Sequence, residues 1–238
     1  MIRLPQLDPH VPEGFPDPQL ALEEPNGLLA FGGDLSPERL LAAYRRGIFP
    51  WYSEGEPILW WSPDPRCVFR TDQLKPNRSL RRQLAGKSWQ VTVDHAFGDV
   101  LRGCAAPRDD HMGTWLLPPM INAYLQLHRL GHAHSVEVWE GTRLIGGIYG
   151  LAIGRLFCGE SMFSVESGGS KLALVTLARL LHERGYPLLD AQVANAHTLG
   201  LGAVEIPRGE FLQQVERLTS QPGHVGSWSH LCPAGPST

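Results

Sequence analysis

Two short segments hold residue types that could do chemistry: GRLFCGESMFSVESGGSK at 154–171 and LLDAQVANAHTLGLGAVEIPR at 188–208. In the second, Asp190 and Gln192 stand two residues apart in an otherwise apolar run, 188–193. Positions i and i+2 of a strand project from one face, so the spacing aims an acid and an amide side by side. Burying such a pair is costly unless both find partners, and an active site is one place where that cost is met. In the first segment, Glu160, Met162 and Phe163 ride on a strand that enters a small-residue turn and then a helix. Met162 and Phe163 alternate, and strand spacing puts Met162 on the side of Glu160. Together the two segments read as an acyl-transfer site with an apolar wall.

The elements that must position these residues alternate along most of the chain. Trp89–Val93 reads as a strand, with Asp94 as the cap of a helix running to about Gly103. Pro119–Leu130 is helix-periodic and stops at Gly131; Ser135–Trp139 alternates as a strand, Glu140 and Gly141 turn, and 143–153 continues as a glycine-bearing strand. Gly154 turns the chain into the strand 155–163. Lys171–Arg184 places Leu172, Leu174, Val175, Ala178 and Leu181 on one stripe before Gly185, and Gly209–Leu218 reads as a last helix. Upstream, residues 1–26 read as extended and proline-rich. Ser36 is an N-cap, Pro37 a first helical residue and Gly47 a stop. Trp51, Tyr52, Trp60 and Trp61 form an aromatic cluster that reads as core, or else as a stacking platform for a base. Gly32 and Gly33 read as a turn. The order predicts an α+β fold: a small N-terminal domain at 1–66 with a Trp-rich segment, and a catalytic domain at 67–238 with a mixed, mostly antiparallel sheet and a loose tail from about 219.

Composition narrows the classes. The 238 residues suit one large domain or a small one plus a larger one; 26 glycines and 20 prolines point to ordered turns. A net charge of −3 leaves nucleic-acid contact to a local basic patch. Arg45, Arg46, Arg78, Arg81 and Arg82 read as solvated helix faces, some of which supply such a patch. The first residues, MIRLPQLDPHVPEG, lack the apolar core of a signal peptide, and no stretch reaches the length of a membrane span. Cys67, Cys104, Cys158 and Cys232 show no metal or disulfide spacing, so the expectation is a cytoplasmic protein with reduced thiols. His132-x-His134 lacks a third ligand at metal spacing, so no metal is assigned. Ser161 and Ser164 lack the Gly-x-Ser-x-Gly elbow of a serine nucleophile, and His197 reads as a helix-start residue.

The element order resembles the GNAT acyltransferase fold, in which the turn after the fourth strand offers backbone amides and a helix N-terminus to an anionic carrier. Here that turn is Val165–Ser170, and it lacks the Gln/Arg-x-x-Gly-x-Gly/Ala pattern that binds acetyl-CoA. A CoA-dependent N-acetyltransferase is the alternative reading. Relatives that build peptidoglycan from aminoacyl-tRNA and a module that only binds tRNA ends are further ones.

Longer motifs decide among these. GLLAFGGDLSPERLLAAYRRGIFPW at 27–51, ILWWSPDPR at 58–66, LGHAHSVEVW at 130–139, FCGESMFS at 157–164 and the run from Asp190 through AHTLGLGAVEIPR closely resemble the leucyl/phenylalanyl-tRNA–protein transferase family. The resemblance implies transfer of leucine, also phenylalanine and less methionine, from aminoacyl-tRNA to proteins beginning with arginine or lysine. Such products are degradation signals of the bacterial N-end rule pathway. It implies that Gln192 contacts the attacking amine and Asp190 orients and polarises Gln192. It further implies that Glu160 holds the cationic N-terminal residue of the acceptor, Met162 walls the donor pocket, Asn195 binds substrate, and Trp51 and Trp115 flank the terminal adenosine. Where the family has arginine after FCGESMFS, this chain has Val165. The donor ester is already activated, so the reaction calls for no ATP, cofactor or metal. It calls for deprotonation of an amine of pKa about 8 and stabilisation of an oxyanion.

Overall fold

A computed structural model describes residues 4–106 and 116–231. Two sheets organise them. The smaller is built from β1 (Gln6–Leu7), β2 (Leu28–Gly32), β3 (Phe49–Pro50) and β4 (Leu59–Trp61) in the order β1-β2-β4-β3, with only β1 and β2 parallel. The larger has seven strands: β5 (Arg66–Arg70), β6 (Trp89–Val93), β7 (Ala133–Glu140), β8 (Arg143–Ile153), β9 (Leu156–Ser164), β10 (Leu188–Gln192) and β11 (Val204–Ile206). Their order is β11-β5-β10-β9-β8-β7-β6, and β9 with β10 is its one parallel pair. The fold is mixed α+β.

Among the described residues seven α-helices accompany the sheets: α1 (Pro37–Tyr44), α2 (Arg78–Leu84), α3 (Phe97–Ala105), α4 (Pro118–Arg129), α5 (Gly169–Glu183), α6 (Ala196–Gly200) and α7 (Arg208–Thr219). Ser36 accepts the amide of Arg39 and Pro37 opens α1, as their types predict. Helix α5 buries Leu172, Leu174, Leu177 and Leu181 in a cluster with Val136, Ile148 and Phe157. On the other sheet face α3 and α4 bury Phe97, Leu101, Met120 and Tyr124 with Tyr149, Leu151 and Cys158, and the same cluster continues into α1 and the small sheet through Tyr44, Ile48 and Trp60. At Gly146 of β8, an added Cβ would lie 2.6 Å from the backbone of Gly169. No side chain fits there, and that contact seats the start of α5 against the sheet.

Several expectations are corrected. Residues 4–26 are not extended throughout, since Pro18–Leu20 form a turn of 3-10 helix, and the segment is tied to the body of the protein. From α1, Arg39 donates to the carbonyls of Asp8, Pro9 and Val11, and Arg46 to those of Phe15 and Pro16, so Arg46 is no solvated cation. Asp94 does not cap α3. Its backbone is left-handed (φ 57°) and its carboxylate accepts the amides of Ser135 and Trp228 and holds His134 at 2.9 Å, while Glu137 takes the amide of Ala96 at the start of the helix. Of the expected tail, the described residues 220–231 are docked around Trp228. Trp228 is 2% exposed, stacks on His134 with centroids 3.8 Å apart, and packs against Phe157 and Tyr186. The short strands β2 to β5, β11 and helix α2 carry too few residues to show a period.

Candidate active site

Strands β9 and β10 pair from Leu156 opposite Leu188 to Cys158 opposite Asp190, and beyond that the pairing ends. Gln192 adopts φ 56°, a left-handed conformation rare for a side-chain-bearing residue, and the register of β10 on β5 shifts between Asp190 and Gln192. The strands part there and open a cleft of about 680 Å³. Its apolar wall comprises Phe69, Ile148, Met162, Leu174 and Leu189; Glu160, Ser161, Gln192 and His197 are polar neighbours on it. Parted parallel strands are a natural ligand site, because backbone groups released from the ladder face the gap.

Asp190 is 1% exposed and does not face solvent. Its Oδ1 and Oδ2 accept Nε and Nη2 of Arg66 at 2.8 and 2.7 Å, a two-pronged charge pair of fixed geometry. Arg66 is itself held: it donates to the carbonyl of Gly47 at 3.0 Å, and its guanidinium lies over the rings of Phe49 and Phe211. Asp190 Oδ1 also accepts the backbone N–H of Gln192 at 3.0 Å. That bond fixes the turn that gives Gln192 its left-handed backbone. Asp190 thus acts on Gln192 through the main chain, and the two side chains are not the same-face pair of a regular strand. The Nε2 of Gln192 is buried and makes no hydrogen bond with the described residues, which leaves a donor at the cleft for a ligand to satisfy.

The expected common face of Glu160 and Met162 is also corrected. Facing β8, Tyr149 opposes Ser161 while Gly150 opposes Gly159, so Glu160 is the extra residue of a bulge. A bulge inverts the alternation downstream. Glu160 therefore reaches Tyr124 on the α3 and α4 side, whereas Met162 packs against the cluster of α5, and Phe163 returns to the α3 side. Both Glu160 and Met162 still border the cleft. Glu160 Oε2 accepts the hydroxyl of Tyr124 at 2.5 Å, and that hydroxyl lies 2.9 Å from the hydroxyl of Tyr44. Oε1 is buried with no partner among the described residues. Burial pushes the carboxyl up to about 7, against the two tyrosine hydroxyls, which favour the charged form; Asp190 adds to the rise and Arg66 opposes it.

The remaining candidates separate. Trp51 is 46% exposed, beside Trp61 at 5.7 Å, whereas Trp60 is fully buried, so the aromatic cluster is part core and part open surface. Trp115 lies outside the described residues. Asn195 borders the cleft, but its side-chain oxygen accepts the amide of Thr198 and so caps α6. Val165 is exposed, in the turn that leads into α5. Ser164 Oγ accepts the amide of Ser170 at 2.7 Å and donates to its hydroxyl, so it secures that turn. His134 is tied to Asp94, with its charged form disfavoured by burial despite that carboxylate. Sequence reading missed Arg66, Tyr44 and Tyr124. Only the first had a visible signal, an arginine at the end of an otherwise aromatic and proline-rich motif.

An apolar cleft beside an unsatisfied amide and a carboxylate fits an enzyme of the acyl-transferring class. A family model described as Leucyl/phenylalanyl-tRNA protein transferase matches residues 68–216, and the model of its N-terminal domain matches 33–64. The chain belongs to this family. It is 61% identical over 216 residues to a leucyl/phenylalanyl-tRNA–protein transferase of Xanthomonas euvesicatoria pv. vesicatoria (strain 85-10), covering 90% of this chain and 86% of that one. It is 52% identical over 220 residues to one of Shewanella baltica (strain OS223), covering 92% and 93%. A solved structure of L-PGS from Bacillus licheniformis aligns over 72% of this chain and 55% of that one, at 11% identity and a TM-score of 0.39, a likeness too slight to bear on function.

Proposed function

We propose that the protein transfers leucine, also phenylalanine and less methionine, from aminoacyl-tRNA to the N-terminal arginine or lysine of acceptor proteins, marking them for the bacterial N-end rule pathway in the cytoplasm. The observation that carries this reading is the cleft between β9 and β10: an apolar wall sized for a side chain, with Gln192 and Glu160 at its polar edge. The domain that holds it, 67–238, is read as GNAT-like, with 1–66 as a small N-terminal domain. The donor side chain lies against Met162, Ile148 and Leu174. Gln192 positions the attacking amine by hydrogen bonding, Asp190 fixes Gln192 through its backbone, and Glu160 faces the cationic N-terminal residue. Asn195 borders the substrate, and Trp51 with Trp115 flanks the terminal adenosine. Most of the rate comes from holding two substrates in line, because the ester is already activated.

Labelled leucine offered on tRNA to a model protein beginning with arginine tests the reading. Transfer to that protein and not to one beginning with glutamate is expected; absence of transfer, or acetyl transfer from CoA instead, overturns it. A wall of this kind accepts side chains unbranched at Cβ and disfavours isoleucine and valine, whose second Cβ substituent crowds the pocket mouth. One misplaced methyl is worth about 1–3 kcal/mol, so leucine leads isoleucine by about tenfold to a few hundredfold. Met162→Ala narrows that gap and slows leucine transfer; equal transfer of both residues by the unaltered enzyme rules the pocket out.

A further inference from the structure

We propose that Glu160 is the proton acceptor of the transfer reaction, receiving a proton from the α-ammonium group of the acceptor, with Tyr124 and Tyr44 as positioning residues that hold its carboxylate. This inference rests on the transfer reaction proposed above.

The reaction needs a base. The acceptor amine is largely protonated at neutral pH, and an ammonium has no lone pair with which to attack. Asp190 cannot supply that base: both its oxygens are engaged by Arg66 and it is 1% exposed. The side chain of Gln192 is a neutral amide, able to hydrogen-bond an amine and unable to hold its proton at neutral pH. Among the described residues on the cleft, that leaves Glu160 and His197 as titratable groups. Glu160 has the more defined setting. One oxygen accepts Tyr124 at 2.5 Å, the other is buried and unpaired, and Tyr44 completes the chain at 2.9 Å. An unpaired buried carboxylate oxygen calls for a donor, and an ammonium group is one.

The groups that face this carboxyl are Tyr124 from α4, Tyr44 from α1, Tyr149 from β8, Cys158 on its own strand, Asp190 from β10 and Arg66 from β5. Burial is the largest influence and raises it, to about 7, near the value of a base matched to neutral solution. The proton account closes. One N–H proton of the ammonium passes to Glu160, and the freed lone pair forms the bond to the ester carbonyl carbon. The carbon–oxygen bond to the ribose then breaks, and the second proton from that nitrogen goes to the departing ribose oxygen. Glu160 returns its proton to solvent, which matches the one proton released when an ammonium and an ester become an amide and an alcohol.

The experiment is the pH dependence of kcat for leucine transfer to an N-terminal-arginine protein at saturating acceptor. The unaltered enzyme is expected to lose activity as pH falls through about 7. Glu160→Gln should lower kcat by about 10²-fold or more and remove that acid limb. Tyr124→Phe takes away a hydroxyl that favours the charged carboxylate. It should move the limb up by about one pH unit. Tyr124→Phe leaves the carboxylate in place beside the acceptor, so its shift identifies the limb with Glu160 even if Glu160→Gln folds poorly. An acid limb in the same place in Glu160→Gln and Tyr124→Phe overturns the inference, as does one that disappears in His197→Asn and persists in Glu160→Gln. If the unaltered enzyme transfers no leucine, the transfer reading has failed; if it transfers normally with an unmoved limb, only the role of Glu160 has.

Discussion

At the scale of single residues, the centre of this molecule is a buried charge pair that serves a neutral amide. Arg66 and Asp190 satisfy one another, and the bond left over on Asp190 sets the backbone of Gln192. Removing one partner of such a pair strands the other charge, at about 3–5 kcal/mol. Asp190→Ala is therefore expected to lose both stability and transfer rate, while Gln192→Ala loses about 10²–10³-fold in kcat with its melting temperature nearly unchanged. The double variant should be little slower than Asp190→Ala alone, since the first change already releases Gln192. Multiplicative losses in a kinetic cycle would contradict this coupling. Glu160 makes the opposite trade. Its carboxyl is raised from 4.5 to about 7, so between those values the folded chain holds a proton that the unfolded chain has released. Stability then falls as pH climbs through that window. Glu160→Gln, neutral at every pH, should melt higher than the parent at pH 8 by about 2–4 °C per kcal/mol recovered and match it at pH 5. A lower melting temperature at pH 8 would show that the charged carboxyl stabilises the fold.

At the scale of elements, length decides what the sequence makes legible. Strands β6, β7, β8, β9 and β10 and helices α1, α4, α5 and α7 can be read because each repeats its period or carries its caps. Strand β5 spans five residues and owes its place to β10 and β11, more than a hundred positions downstream, so nothing local announces it. The same separation hides Arg66 as the partner of Asp190. The bulge at Glu160 escapes notice for a different reason: one extra residue leaves composition unchanged and inverts the facing of everything after it. Trp228 stands alone among glycine, serine and histidine, so its segment reads as a tail, although Asp94 accepts its amide and His134 covers its ring. A docked segment and a loose one differ in a measurable way. Trp228→Ala should cost about 3–5 kcal/mol, the range for emptying a buried aromatic site. A loss below about 0.5 kcal/mol, as at an exposed position, would return the segment to the status of a tail.

At the scale of the whole molecule, charge and shape part company. A net charge of −3 gives no general attraction for a polyanion, so affinity for tRNA must come from one region. Residues 75–87 hold Lys75, Arg78, Arg81, Arg82 and Lys87 with no acid between them, and α2 lies within this run. Gln83 of α2 donates to the hydroxyl of Ser167 at 3.2 Å, so the basic helix stands beside the turn that leads into α5, whose residue Ser170 borders the cleft. A strand end that left the cleft on this side would meet these cations with its phosphates, which makes α2 the region to test. Each phosphate contact contributes about 0.7–0.9 to the slope of log affinity against log salt. The double variant of the exposed pair Arg78→Ala and Arg82→Ala should flatten that slope by about 1–2 and weaken binding alike for tRNAs of different sequence. At saturating aminoacyl-tRNA its kcat should stay within a fewfold of the parent if these residues hold the carrier and not the reacting atoms. An unchanged slope would move the tRNA path to another face of the molecule, and a collapsed kcat at saturation would place α2 in the chemistry itself.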